Sequence, residues 1–389
     1  MVEYSRRSFD FILMLLVFIL IFDPTNKIFH AKELFFIILS FFFACFVFFK
    51  NESIEVNYEI ILLVFLFSLI VPFYSFFMGV LTDINFSLEF ALSQIKSLIL
   101  FFTVIALVLV PNNFERYFIF TLIALAVFIL FTYFGFLLEI KFVISYVSWL
   151  VTDIQAALIG PRSFGKFDIT MVYYKTAPLL VFPVAYIFSK KINISTFFIL
   201  FIVLAAFFVS GTRANMFVAI LMFFLFVFLK VNYIFKLLFV AFFFSFLVVF
   251  LPGIVDNFLN RSEVSNTIKI QHIKSYFHYF LDNPILFVFG SGLGSGFYSS
   301  GVDEIVQQTE LVYLDILRTH GVVFLLVVLF VLFYPFFKML KLNHFKAFGY
   351  LFYLIIAGTN PLLFSSTGML ALVYAYYLVY FKVSDDNRL

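Results

Sequence analysis

The sequence predicts an all-α polytopic membrane protein, and its composition and its pattern of apolar runs carry that prediction. Hydrophobic residues make up 64% of the 389 residues and charged residues only 12%, whereas roughly a quarter of the residues in a soluble domain are charged. The mean hydropathy is +1.12. No soluble fold could bury so many apolar side chains, so many of them must face lipid.

Twelve apolar runs are long enough to be membrane spans. They cover residues 9–22, 33–49, 58–80, 88–110, 116–138, 169–189, 195–211, 214–230, 233–252, 310–334, 346–360 and 363–381. Backbone groups in hydrocarbon must find partners within their own segment, so each run is expected to be a helix, and the alternation of a membrane barrel is absent. The first run lacks a small-residue cleavage site before "DPTNK" and is interpreted as a retained span.

The expected orientation follows from positive charges in short loops. Such charges occur at Arg6 and Arg7, at Lys190 and Lys191, and in "KMLKLNHFK" at 338–346. With twelve spans these segments share one side, which is then the cytoplasm and holds both termini. The predicted organisation is nine spans in 1–252 with an outer loop at 139–168, a long outer segment at 253–309, and three spans with a cytoplasmic tail in 310–389.

Several cations lie on the outer side, where short loops rarely carry them. They are Arg162, Lys166, Arg213, Arg261, Lys269 and Lys274. Their presence indicates an anionic ligand on that side. The alternative is that long outer loops carry ordinary surface charges, because long loops escape the positive-inside rule.

Arg213 lies in "VSGTRANM", between the seventh and eighth apolar runs. Ser210, Gly211 and Thr212 are expected to end one helix and to cap the next. A helix N-terminus with free N–H groups beside an arginine can bind an anion, and the planar guanidinium matches phosphate oxygens. Snorkelling of the arginine to the membrane interface is the alternative.

The outer segment contains "NTIKIQHIKSYFHYFLDNP" at 266–284, which has helical periodicity. Its apolar stripe is Ile270, Ile273, Phe277 and Phe280, and beside it runs a basic and aromatic stripe of Lys269, His272, Tyr276 and Tyr279. We expect this helix to lie on the membrane surface or over a cavity. The basic and tyrosine-rich stripe suits a sugar-phosphate head group, although a plain interfacial helix has the same pattern.

The glycines of "FVFGSGLGSGFYSS" at 287–300 fit no nucleotide-binding fingerprint, because the spacing fails and no GK[ST] follows. They predict a turn whose backbone comes close to another segment or to a ligand.

The next run begins with "QQTELVYLDILRTHGVV". Thr309 can cap it, and Glu310 would face the basic helix as a general base or as a capping charge only. Tyr313 is a candidate sugar contact. Asp315 and Arg318 are expected to form a structural i, i+3 pair.

No metal or cofactor is expected. The single Cys45 has no disulfide partner, and no Cys/His spacing of a metal site occurs. The net charge of +3 is too small to argue for nucleic acid as a partner.

Taken together, the motifs resemble those of the O-antigen polymerase and ligase superfamily. The resemblance lies in "NPILFVFGSGLGSGF" followed by "TELVYLDILRTHGVV", in "VSGTRANM", in "GPRSFGKFDITMVYYKTAPLL" and in "TNPLLFSSTGMLALVYAYYLV". It implies a glycosyltransferase of GT-C-like architecture in the bacterial inner membrane. The implied substrates are oligosaccharide repeat units linked to undecaprenyl pyrophosphate on the periplasmic face, with a chain-length regulator as a further partner.

The resemblance also implies residue roles. Arg162, Arg213 and Arg261 would hold the pyrophosphate, and Glu310 ranks before His272 as the general base. The ligase branch commonly has histidine where this chain has Glu310, which favours a polymerase over a ligase. A lipid-linked oligosaccharide flippase is the alternative from another class, but the two halves show no repeat typical of transporters.

Overall fold

A computed structural model describes residues 2–49, 57–82, 84–164, 167–210, 212–230 and 264–386, together with the isolated positions 232, 236, 240, 244, 245 and 248. Helix accounts for 77% of the structure. The chain is therefore an all-α protein, as predicted, with two small hairpins added.

The elements follow one another in a simple order. The first six helices are α1 (Val2–Phe22), α2 (Lys32–Phe49), α3 (Tyr58–Thr82), α4 (Leu88–Leu109), α5 (Phe114–Leu137) and α6 (Lys141–Thr152). An antiparallel hairpin of β1 (Ala157–Phe164) and β2 (Phe167–Tyr174) leads to α7 (Ala177–Phe188), α8 (Ile194–Val209) and α9 (Arg213–Lys230). The last part holds α10 (Val264–Asp282), α11 (Pro284–Phe289), the hairpin of β3 (Phe297–Ser299) and β4 (Glu304–Val306), α12 (Val312–Leu342), α13 (His344–Ala357) and α14 (Ser366–Asp386).

Among the described residues, five helices are long and apolar enough to cross a membrane by length and composition: α2, α3, α4, α5 and α12. Shorter apolar helices include α7, α8, α9 and α13. In length and composition these helices are consistent with a membrane protein.

Two of the expected runs need comment. The run at 169–189 is wrong at its start, because residues up to Tyr174 belong to β2 and the helix begins at Ala177. The residues "ITMVYY" are β-branched and aromatic and pair with β1 instead of continuing a helix. The run at 233–252 lies almost wholly outside the described residues, as does the start of the segment that follows it.

Polar contacts gather the helix termini at two ends of the bundle. The end that carries β1 and β2 is called the hairpin end. There Thr176 Oγ1 donates to Ile21 O at 2.9 Å, and Lys27 Nζ donates to Gln155 Oε1 at 3.0 Å. At the same end Lys32 Nζ donates to Ser366 Oγ at 3.1 Å, and Val312 N donates to Gly358 O at 3.3 Å. At the opposite end, Asn113 Nδ2 donates to Asp10 Oδ2 at 2.9 Å, and Lys346 pairs with Glu115. Every predicted outer segment that falls within the residues described by the structure lies at the hairpin end.

The core joins aliphatic and aromatic side chains of most helices, and it includes several buried tyrosines of α13 and α14. Tyr374 is fully buried and packs against the rings of Phe118 and Phe182, with centroid distances of 4.4 and 5.2 Å. Its hydroxyl donates to Glu115 Oε1 at 3.0 Å. Glu115 thus satisfies the polar end of this buried ring.

Helix α3 contains a π-helical segment, Leu66–Ile70, near its middle. Within it, the Ser68 hydroxyl donates to Leu98 O of α4 at 3.1 Å. Beyond the segment, Ser75 and Gly79 share one face of α3 and meet the glycine-rich turn.

The glycine-rich turn, residues 290–296, packs its bare backbone against neighbouring backbone. Gly290, Gly292 and Gly294 have φ of 82°, 87° and 83°, values that favour glycine. A Cβ on Gly292 would lie 1.9 Å from the backbone nitrogen of Gly79. The close approach predicted from the sequence is therefore confirmed, and the partner is another segment of the chain.

A break in α12 receives the other side of this turn. Gly321 has φ 70° and ψ 174° within α12. Beside the break, Ser291 N donates to Arg318 O at 2.8 Å and Gly292 N donates to Thr319 O at 2.9 Å. The turn thus joins α3 to α12 through main-chain hydrogen bonds.

We predict that Gly292→Ala destabilises the protein by about 2 kcal/mol or more, because a methyl group meets backbone at a positive φ. Gly160→Ala is the matched control, since a Cβ there meets nothing within 4 Å. The unfolding temperature of both detergent-solubilised variants is the measurement. Equal unfolding temperatures would show that the turn can move away from α3.

Candidate functional site

Glu310 and Lys269 form an accessible ion pair at the hairpin end. Glu310 lies just before α12, Lys269 lies on α10, and Lys269 Nζ is 3.0 Å from Glu310 Oε2. Their side chains are 53% and 36% exposed. The prediction that Glu310 faces the basic helix is confirmed, and both charged groups can be reached from solvent.

Asp315 fixes the start of α12 through Thr309, the residue that precedes Glu310. It accepts hydrogen bonds from Thr309 N at 2.7 Å, from Thr309 Oγ1 at 3.2 Å and from the Tyr276 hydroxyl. It also lies 3.7 Å from Arg318 Nη2, so the expected i, i+3 pair is confirmed. Burial, together with the Asp315 carboxylate, raises the pKa of Tyr276 far above its usual range, and the phenol remains a donor.

Arg318 ties α12 to the glycine-rich turn and has no exposed surface. Its Nη1 donates to Ser295 Oγ at 2.9 Å and to Ser295 O at 3.0 Å, and its Nη2 donates to Gln307 O at 2.7 Å. Its guanidinium carbon lies 4.9 Å from the centre of the Phe297 ring. Arg318 is therefore a structural cation whose terminal nitrogens bond to the protein itself, while its buried Nε has no partner among the described residues.

His272 lies one turn along α10 from Lys269 and is buried. Its Nδ1 contacts the Ser299 hydroxyl of β3. Burial lowers the pKa of His272, the Glu310 carboxylate opposes that effect, and the Lys269 charge adds to it. The imidazole is therefore neutral at pH 7.

A group of tyrosines lies beside Glu310. Burial raises the pKa of Tyr173 on β2, and the charge of Glu310 raises it further. Tyr313 donates to Leu354 O at 3.1 Å. The buried Tyr353 hydroxyl has no hydrogen-bond partner in the described part of the chain.

The predicted site residues fall into three sets. Lys269 and Glu310 are together and accessible, whereas His272, Tyr276 and Tyr313 lie close by with their polar atoms engaged in the contacts given above. Arg162 is on β1 and Arg213 is the first residue of α9, but their side chains lie outside what the structure describes. Arg261 lies wholly outside the described residues.

The cap of α9 also matches its prediction. Thr212 Oγ1 accepts a hydrogen bond from Asn215 N at 3.3 Å. The Asn215 side chain is buried, and neither of its amide atoms has a partner among the described residues. Asn215 and Tyr173 were not predicted as site residues. A polar amide two residues after Arg213 was a usable signal for Asn215, whereas Tyr173 was hidden in the misassigned apolar run.

Comparison of the chain with models of protein families, with curated proteins and with solved structures gave no match. Fold and contacts define the class: a helical membrane protein whose hairpin end carries an exposed carboxylate–ammonium pair above a buried polar network.

We predict that protonation of His272 destabilises the fold in mild acid. Its pKa is lower in the folded protein than in the unfolded chain, so the unfolded chain binds the proton first as the pH falls below about 6.5. Stability is then full above this pH and declines as the pH falls towards the folded-state pKa. Unfolding temperatures between pH 5 and pH 8, roughly this window, measure the effect.

His272→Gln should flatten that pH dependence, and His278→Gln, an exposed histidine on the same helix, should leave it unchanged. The same slope in both variants would assign the acid sensitivity to other groups.

Proposed function

We propose that the chain is a membrane glycosyltransferase that uses saccharides linked to a lipid pyrophosphate, and specifically a surface-polysaccharide polymerase. The observation that carries the proposal is the exposed Glu310 carboxylate, held beside Lys269 at the end of the bundle that also carries β1 and the start of α9. An accessible base and several cations on one side of a membrane suit transfer from an anionic donor.

The donor of this reaction is an oligosaccharide on undecaprenyl pyrophosphate. An acceptor hydroxyl forms a bond to the anomeric carbon, and the bond from that carbon to the pyrophosphate oxygen breaks. Negative charge develops on the pyrophosphate as it leaves, and fixed cations stabilise that charge. Arg162, Arg213 and Arg261 have this role in the proposal, with Lys269 as a fourth cation.

Glu310 takes the proton of the acceptor hydroxyl in this scheme. Its carboxylate is accessible, and Lys269 restrains its orientation without enclosing it. The neutral His272 is a positioning residue, because its contact with Ser299 joins α10 to β3. Asp315 and Arg318 fix the start of α12, from which Glu310 projects.

The polymerase is favoured over the ligase by the residue at position 310, where the ligase branch commonly has histidine. The proposed location is the bacterial inner membrane with the hairpin end on the periplasmic side and both termini in the cytoplasm. A chain-length regulator is the proposed protein partner.

The test is a gel of surface polysaccharide from a strain that lacks this chain. We expect a single repeat unit on the terminal acceptor and no longer chains. If all glycan instead disappears from that acceptor while long chains accumulate on the lipid carrier, the chain is the ligase. An unchanged polysaccharide ladder would overturn both assignments.

We predict that Arg213→Ala abolishes polymer while the protein still reaches the membrane, because the leaving pyrophosphate loses a bidentate donor. Arg213→Lys should restore only part of the product. Lys230→Ala, at the other end of α9, is the control and should leave the ladder intact. A normal ladder from Arg213→Ala would remove Arg213 from the site.

We predict that Glu310→Gln lowers turnover by about a hundredfold or more, the usual effect of losing a general base, with little change in donor binding. Glu304→Gln, an exposed carboxylate on β4, is the control. The measurements are polymer formed per unit time and retention of the lipid-linked donor. Parallel loss of protein from the membrane and of product would instead show a structural role for Glu310.

A further inference from the structure

A groove opens between α2 and α4 at the hairpin end. Its volume is about 590 Å³. Its polar part is lined by Asn26, Lys32, Glu33, Lys96, Ser365 and Ser366, and its apolar part by Phe36, Ile37, Ile99 and Leu100. Only 17% of the apolar stretch of α2 is buried, so the helix that forms one wall of the groove lies at the periphery of the bundle.

The groove continues towards the middle of the bundle. Phe36 also lines a second cavity, of about 190 Å³, which has Phe43 and Phe102 on its walls. The polar part lies at the first turn of α2, and the second cavity lies further along the same helix. Together the two spaces match an amphipathic ligand whose polar head lies at the hairpin end and whose apolar tail lies further along α2.

Lys32 brings a buried positive charge to the head of the groove. Its side chain is 7% exposed, and its ammonium donates to Pro24 O at 2.7 Å and to Ser366 Oγ at 3.1 Å. Both partners are neutral, and no carboxylate among the described residues forms an ion pair with it. The Asp23 and Glu33 carboxylates are near enough to favour the charged ammonium electrostatically. Burial of the charge beside neutral hydrogen-bond partners is still costly, and the third ammonium donor is left for a ligand.

The neighbouring carboxylates are already occupied. Asp23 accepts hydrogen bonds from three backbone N–H groups, those of Lys27, Ile28 and Phe29, at 2.8 to 3.0 Å. Glu33 accepts from Asn26 Nδ2 at 2.8 Å. An anion that enters the groove would therefore not have to displace an existing partner of Lys32.

We propose that the groove between α2 and α4 binds a lipid with a phosphate head group. The phosphate contacts the Lys32 ammonium and the Ser366 hydroxyl, with Lys96 on the facing wall, and the hydrocarbon chain lies along Phe36 towards Phe43 and Phe102. Glu310 and Lys269 do not line this groove, and the proposal does not depend on the proposed glycosyl transfer.

The experiment is a lipid titration of the full-length protein in detergent, followed by native mass spectrometry. The probes are dioleoyl phosphatidic acid, dioleoyl phosphatidylcholine and inorganic phosphate. We expect the protein to retain phosphatidic acid in preference to phosphatidylcholine. Lys32→Met, which keeps the aliphatic stem, should weaken phosphatidic acid binding about tenfold, the effect of one lost charged hydrogen bond.

Lys338→Met is the matched control, because Lys338 is a half-exposed lysine that belongs to the opposite end of the bundle; it should bind phosphatidic acid as the unaltered protein does. Equal binding by Lys32→Met and Lys338→Met would overturn the proposal. Displacement of phosphatidic acid by inorganic phosphate at equal concentration would also overturn it, by showing a site for a free anion.

A second variant addresses folding. If Lys32→Met unfolds, Phe36→Trp leaves the charge in place and narrows the apolar part of the groove. Reduced retention of phosphatidic acid by Phe36→Trp, with an unchanged unfolding temperature, supports the lipid site. Unchanged retention places the lipid elsewhere and overturns the proposal.

Discussion

The contact of the glycine-rich turn with the break in α12 is the constraint on which the hairpin end depends. Ser291 and Gly292 donate main-chain hydrogen bonds to the residues just before Gly321, and Leu293 N donates to Ser75 O of α3 at 2.8 Å. Side chains would separate these backbones, so glycine is required where they touch. This contact holds α12 against α3, and the bonds of Tyr276 to Asp315 and Thr309 hold α10 beside the start of α12, which places Lys269 opposite Glu310.

Charged groups at the hairpin end have two distinct environments. Asp315 and Arg318 are buried, and the Asp315 carboxylate and both terminal nitrogens of Arg318 contact neighbouring protein atoms, which offsets part of the cost of removing them from water. Lys269 and Glu310 keep roughly a third to a half of their side-chain surface exposed. The buried network gives the exposed pair a rigid base, which is the arrangement expected of a binding site that must be ordered before its ligand arrives.

Much of this end of the protein follows from local sequence patterns. Periodicity predicts the helix that the structure places at Val264–Asp282, the i, i+3 spacing predicts the contact of Asp315 with Arg318, and the glycines predict the close backbone approach. The β1–β2 hairpin was missed because a run of β-branched and aromatic residues is as apolar as a span. Tyr173 and the groove at Lys32 depend on which distant segments meet, and no local pattern encodes that.

The π-helical segment of α3 has a consequence for changes in chain length. A π turn holds one residue more than the α turn it replaces, and each residue of a helix accounts for about 100° of rotation. Deleting a single residue from Leu66–Ile70 would therefore restore a regular α turn and leave the direction of the following turns nearly unchanged. Ser75 and Gly79 would still face residues 290–296, whereas an added residue would rotate them away by roughly 100° and bring side chains to the place of bare backbone. The π turn is thus the place where α3 can lose a residue and keep its contact with the glycine-rich turn.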